Sequence, residues 1–257
     1  ANYLALQHYV PQIHFSLGAN HHYAGDYELA IIHYETCLSV WREERADKSI
    51  GCLNNLAITQ RAIGHYDEAE ACHQQARAIA EKLGDAYGIS SALIGIGNVR
   101  MCQKDYASAE SFFREALQSN RHQCELEGIA GTMANIANAV GKQGDLQQAA
   151  DLIGQSICVM VHVGAKRGIA DALDVLSEIL FRSGEDQIAA KLLGAIDQLR
   201  VALRTPRSPL DAELLTQNVA AMKDRLGDYA FHDLYSSGTL LSTEEAIEVG
   251  LGIKPEH

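Results

Sequence analysis

With 257 residues, 33 acidic side chains against 21 lysines and arginines, and a formal charge of −12, the chain lacks the cationic surplus needed to neutralise a phosphate backbone. Direct nucleic-acid binding is therefore excluded. No apolar run approaches the roughly 18 residues of a membrane span, and no signal-peptide pattern follows Ala1, so a cytoplasmic protein away from membranes is expected.

In chain order, one pattern keeps returning. Gly25-Asp26-Tyr27-Glu28-Leu29-Ala30 is followed by Gly64-His65-Tyr66-Asp67-Glu68-Ala69 and by Lys104-Asp105-Tyr106-Ala107-Ser108-Ala109. Gly144-Asp145-Leu146-Gln147-Gln148-Ala149 and Gly184-Glu185-Asp186-Gln187-Ile188-Ala189 come next, with Leu146 and Asp186 in place of the tyrosine. The alanines at 30, 69, 109, 149 and 189 lie 39, 40, 40 and 40 residues apart, the constancy of a stacked repeat array.

Each repeat reads as two helices around a tight turn. A flexible residue, usually Gly, gives the turn its backbone freedom, and the Asp after it is placed to cap the second helix. Twelve residues before the alanines stand the small Gly18, Ala57, Gly97, Ala137 and Ser177, preceded by the large Leu17, Leu56, Ile96, Ile136 and Leu176. Four residues after the alanines come Tyr34, His73, Phe113, Ile153 and Leu193, then Cys37, Ala76, Ala116, Ser156 and Ile196, the spacing of a helix with one buried face. The repeats span about 5–44, 47–83, 86–123, 126–164 and 166–203, giving an array over 1–203.

The remainder, 204–257, reads as a C-terminal helical cap. Pro206 and Pro209 interrupt the last repeat helix, and a helix from about Asp211 to Leu226 ends at Gly227. Ser242 and Glu245 are spaced as a capping box. A chain that starts within a helical pattern also reads as a piece of a longer protein.

Motifs for chemistry are missing. The six cysteines contain no C-x-x-C pair and read as buried thiols in a reducing compartment. His21 and His22 are adjacent, so they point about 100° apart on a helix and form no two-ligand face. Gly95-Ile96-Gly97 lies inside a helical pattern and is read as a helix crossing, not a phosphate loop. Asp67/Glu68 and Glu244/Glu245 suit first helical turns. No catalytic residue, metal ligand or cofactor is expected.

The order Leu-Gly/Ala, then Gly-Asp-Tyr, then Ala, an aromatic and Ala resembles the tetratricopeptide repeat. That resemblance implies an all-α, right-handed superhelical solenoid of five hairpins with a period of about 40 residues. The family period is about 34, so the extra length adds roughly 1.7 turns per repeat. The tail carries Ala190-Lys191-Leu192-Leu193-Gly194-Ala195, Ser208-Pro209, Leu226-Gly227-Asp228-Tyr229-Ala230-Phe231, Gly238 and Leu241-Ser242-Thr243-Glu244-Glu245-Ala246. This succession resembles the C-terminus of bacterial STAND-type ATPase and LuxR-like multidomain transcriptional regulators.

In such arrays the first helix of each repeat lines a concave groove. Carried over residue by residue, the family's inward positions fall on Phe15, His22, Asn54, Arg61, Ser91, Asn98, Asn138, Asp174 and Glu178, among others. The asparagines are suited to hold an extended backbone, and Asp171, Asp174 and Glu178 would attract a basic peptide. A family clamp for C-terminal carboxylates falls on Phe15, Ala19, Asn55, Ser91 and Gly95, four of which do not fit, which disfavours a chaperone-tail adaptor. The expected function is a non-enzymatic protein- or peptide-binding regulatory module, in contact with other domains of its parent. A stand-alone scaffold for complex assembly is the alternative, and a repeat-built phosphatase acting on response regulators is a third reading. An uncovered apolar face on the first hairpin suggests a homodimer.

Overall fold

The computed structural model describes residues 9–252, and every regular element among them is a helix. The chain divides into two compact units, 1–125 and 126–257.

The first unit is three hairpins: α1 (Val10–Ala24) with α2 (Tyr27–Glu44), α3 (Ala46–Ala62) with α4 (Tyr66–Leu83), and α5 (Ala86–Cys102) with α6 (Tyr106–Gln123). The residue before each hairpin's N-cap is left-handed, with φ of 85° at Gly25, 83° at Gly64 and 62° at Lys104. Glycine takes this conformation without a Cβ penalty; Lys104 does not. Of the three N-cap side chains only Asp105 accepts from the helix, at Ser108 N. Asp26 instead meets His21 Nδ1 at 3.2 Å. Asp85 caps α5, the first helix of the third hairpin, accepting from Gly88 N at 3.0 Å.

Small residues and rings interlock at the core. A Cβ on Gly18 would stand 2.8 Å from the Tyr34 ring, and one on Gly97 2.4 Å from the Phe113 ring. Gly95-Ile96-Gly97 is thus a helix crossing, as its sequence context implied. Where the first-helix position carries Ala57 instead of glycine, the second helix carries His73 instead of a six-membered ring. Ala30, Ala69 and Ala109 are fully buried. Along α1 and its N-cap, Tyr9, Ile13 and Leu17 are exposed at 63%, 55% and 36%.

The second unit begins with two hairpins, α7 (Leu126–Gln143) with α8 (Leu146–Val163) and α9 (Lys166–Arg182) with α10 (Asp186–Leu203). Asp145 caps α8 through Gln148 N at 3.0 Å. Three helices follow: α11 (Pro209–Leu226), α12 (Asp228–Gly238) and α13 (Thr243–Leu251). Helix α12 packs against α10, and α13 packs against both α9 and α10. The α10/α12 crossing is set by two glycines: a Cβ on Gly194 would lie 2.0 Å from Tyr235 O, and one on Gly238 1.8 Å from Lys191 O. The Ser242/Glu245 capping box is formed. Arg225 of α11 stacks over Phe181 at 4.2 Å.

The cysteines depart from the sequence expectation. Cys37, Cys52 and Cys72 are buried, but Cys102 is half-buried and Cys124 and Cys158 are exposed. Cys124 closes α6 in the left-handed region, at φ 55°, where it leaves the packed face.

Candidate functional site

The first helices of neighbouring hairpins lie side by side: α1 against α3 and α3 against α5 in the first unit, α7 against α9 in the second. Within a unit a second helix packs between first helices, as α2 does between α1 and α3, α4 between α3 and α5, and α8 between α7 and α9. A first helix therefore turns one face toward its hairpin partner and leaves another open, and the candidate residues lie along these helices.

In the first unit these residues fall into two groups. Phe15 and Asn54 are tied into the packing. The Phe15 ring lies edge-on to Tyr34 at 6.0 Å and tilted to Trp41 at 5.7 Å. Asn54 is 8% exposed, with Oδ1 2.9 Å from His73 Nδ1 and Nδ2 donating to Ser91 Oγ at 3.3 Å. Because Asn54 Oδ1 only accepts, His73 carries its proton on Nδ1, and its Nε2 is left buried without a partner. Burial first, and the nearby charge of Arg61 second, hold His73 down to about 4.

The other group faces outward. His22 Nδ1 lies 3.0 Å from Thr59 Oγ1. That hydroxyl already gives its proton to Asn55 O, so His22 is the donor and its Nε2 is free to accept. Burial, then Arg61, lower the His22 pKa. Arg61 is half-buried and donates to Cys102 Sγ at 3.6 Å. Asn98 is half-buried and makes no side-chain hydrogen bond among the described residues. Beside this group lies a hollow of about 120 Å³ lined by Ala19, His22, Tyr23, Tyr34, Asn55 and Ile58. Burial pushes the pKa of the Tyr34 hydroxyl up to about 12.

The second unit carries Asn138, Asp174 and Glu178. Asn138 is half-buried, also without a side-chain hydrogen bond among the described residues, over a small hollow that Gly141, Val175 and Arg182 help to line. The acids are answered from within the chain. Lys142 pairs with Glu178. Asp174 accepts from Arg200 and Arg207, and Arg200 also reaches Asp171 at 2.6 Å. Arg207 continues to Asp197, which accepts from Tyr235 Oη at 2.6 Å. The acidity read along α9 is thus matched by cations on α7, on α10 and in the segment after it.

Sequence reasoning missed Tyr23 and Tyr34 as hollow-lining residues, and Asn55 was considered only as a clamp position. One signal was present: contacts between neighbouring first helices recur at one offset, His22 to Thr59 and Asn54 to Ser91 both being 37 residues apart. Among the described residues no group of three His, Cys, Asp or Glu side chains is placed to hold a metal. No described helix is long and apolar enough to cross a membrane.

Residues 9–82 match the sequence model of the tetratricopeptide repeat. None of the curated protein sequences matches the chain. Three of the solved structures that share the fold illustrate the likeness. One is a Rap protein complexed with competence and sporulation factor, 18% identical, TM-score 0.60, over 88% of this chain and 71% of that one. Another is the Rap conjugation gene regulator of plasmid pLS20 in complex with a Phr peptide, 15% identical, TM-score 0.59, over 91% and 73%. The third is aspartyl phosphate phosphatase F from Bacillus subtilis, 17% identical, TM-score 0.61, over 95% and 58%. The fold is thus an all-helical tetratricopeptide-type array of helix pairs.

Proposed function

We propose that the chain is a regulatory binding module whose first-helix faces take an extended protein or peptide segment. In this reading it is a cytoplasmic sensor or interaction domain of a larger bacterial signalling or transcriptional regulator of the STAND-type ATPase or LuxR-like kind. The occupied face acts on the other domains of that parent.

One observation carries the reading. Asn98 in the first unit and Asn138 in the second each stand half-buried on a first helix with their amides unused. A carboxamide has both donor and acceptor, and so does each residue of an extended backbone, so the two match without regard to ligand side chains. The Rap structures, one holding a factor and one a peptide, support the same use of the fold. The exposed stripe of Tyr9, Ile13 and Leu17 supports a homodimer, which light scattering on the whole chain tests.

Panning a phage library of linear heptapeptides against the whole chain tests the binding reading. Enriched peptides should lose about tenfold in affinity when Asn98 and Asn138 are both changed to Ala, with thermal stability unchanged. No enrichment, or affinity indifferent to both changes, would overturn it. The likeness to an aspartyl phosphate phosphatase supports a second reading, in which the chain releases phosphate from a phosphoaspartyl receiver protein. Phosphate release by the isolated chain, scored against receiver alone, decides between the two. A scaffold without regulatory effect would bind peptide yet leave the parent protein's activity unchanged.

A further inference from the structure

We propose that the peptide taken by the first unit carries a carboxylate that seats on Arg61, next to an apolar side chain that fills the hollow beside His22. This rests on the peptide-binding reading and names the chemistry of the ligand.

Charge pairing singles out Arg61. The other half-buried arginines of the first unit are answered by carboxylates: Arg77 by Glu81 and Glu115, Arg100 by Glu70. Arg61 meets no carboxylate among the described residues. Its hydrogen-bond partner there is the Cys102 thiol, a neutral and weak acceptor. A guanidinium partly withdrawn from water regains favourable energy from a planar anion, which it can grip with two parallel N–H donors. In a chain of net charge −12, such an unmatched cation is a local seat for an acid.

The surroundings complete the seat. Asn98 follows Arg61 by 37 residues, the offset that joins Asn54 to Ser91 across the same two helices, α3 and α5, and His22 to Thr59 across α1 and α3. It therefore stands on α5 level with Arg61 and offers an unused amide. Ile58 precedes Arg61 by one helical turn, on the same face, and lines the hollow together with His22 and Tyr34. At about 120 Å³ the hollow is smaller than a cavity of about 150 Å³ that holds benzene. That is room for one branched aliphatic side chain. The ligand so described is an extended peptide with Asp or Glu beside Leu, Ile or Val. The carboxylates in the second unit make no competing demand for a basic ligand, because they are matched internally.

The test uses linear heptapeptides enriched on the whole chain. Enriched sequences should carry an acid beside an aliphatic residue. Changing that acid to its amide in a synthetic peptide should weaken binding about tenfold or more. Arg61→Gln should erase the difference between acid and amide peptides, and Arg61→Lys should keep part of it. Because the acid-to-amide comparison is made on the unaltered protein, it stands whether or not either variant folds well. Enriched peptides that bind equally as acid and amide overturn the acid seat while leaving peptide binding intact. Failure to enrich any peptide overturns both.

Discussion

The rings of the array are fitted to glycine, and nowhere more closely than at His73 and Gly95. A Cβ on residue 95 would stand 2.2 Å from His73 Cε1 and 2.4 Å from both ring nitrogens. The ring is 1% exposed and its Nδ1 is held by Asn54, so it has no room to swing aside. Gly95→Ala should therefore destabilise the chain by about 2 kcal/mol, in spite of alanine's better helix propensity. Urea unfolding measures the loss, and a stabilised variant would contradict this packing.

Burial of a neutral imidazole makes stability depend on pH. Folded His73 titrates at about 4 against 6.5 for the free side chain, so in that interval the unfolded chain binds the proton that the folded chain refuses. Its contribution is fully present above pH 6.5 and is lost as pH falls toward 4, by about 3 kcal/mol at the low end. His22 and His33, also lowered chiefly by burial, act in the same direction. Comparison with His73→Leu, the residue at this position in the fifth repeat, isolates the effect. The wild-type curve should fall more steeply over that pH range.

The turn residue Lys104 sits at φ 62°, where four of the five repeats place glycine. A side chain in the left-handed region costs about 1 kcal/mol, part of which glycine gives back through the greater freedom of its unfolded chain. Lys104→Gly should thus raise stability by roughly 0.5–1 kcal/mol. A rise of a few degrees in melting temperature is the expected readout.

What the sequence made legible was the part fixed by small residues at constant spacing. The anchor alanines, the helix crossing at Gly95-Ile96-Gly97 and the Ser242/Glu245 cap all follow from steric or local hydrogen-bond rules that act within a repeat or a motif. What stayed hidden depends on neighbours brought in by the fold. Asn54 and Asn98 both fall on positions read as inward, yet His73 and Ser91 close on Asn54 alone. Asp174 and Glu178 read as an open acidic surface because Arg200, Arg207 and Lys142 lie 26, 33 and 36 residues away. The aspartates of the repeated turn look alike, but Asp26 turns to His21 while Asp105 and Asp145 cap helices.

The two asparagines give a paired prediction. Asn54→Ala strands the buried Nδ1–H of His73 and removes a donor to Ser91, so it should cost about 2 kcal/mol. Asn98→Ala removes no hydrogen bond within the described residues and should stay within about 0.5 kcal/mol of the parent. Thermal melts of the two variants side by side decide this, and equal losses would place Asn98 inside the packing.

At the other end, Gly194 and Gly238 let α10 and α12 approach until each glycine faces a backbone carbonyl of the opposite helix. Side chains at such a crossing could rotate away from an added methyl, whereas a carbonyl oxygen 1.8 Å from the new Cβ moves only with its helix. Gly238→Ala must therefore push α12 off α10, exposing Phe231 and weakening the Tyr235 bond to Asp197. The cost should reach about 3 kcal/mol. The damage should stay local at first, because α12 packs on the last hairpin while the hairpins of the first unit have cores of their own. Limited proteolysis should cut Gly238→Ala within 204–252 well before wild type, and hydrogen exchange should speed up in α12 and α10 while α3 to α6 stay protected. Uniform loss of protection would show instead that the close crossing supports the whole array.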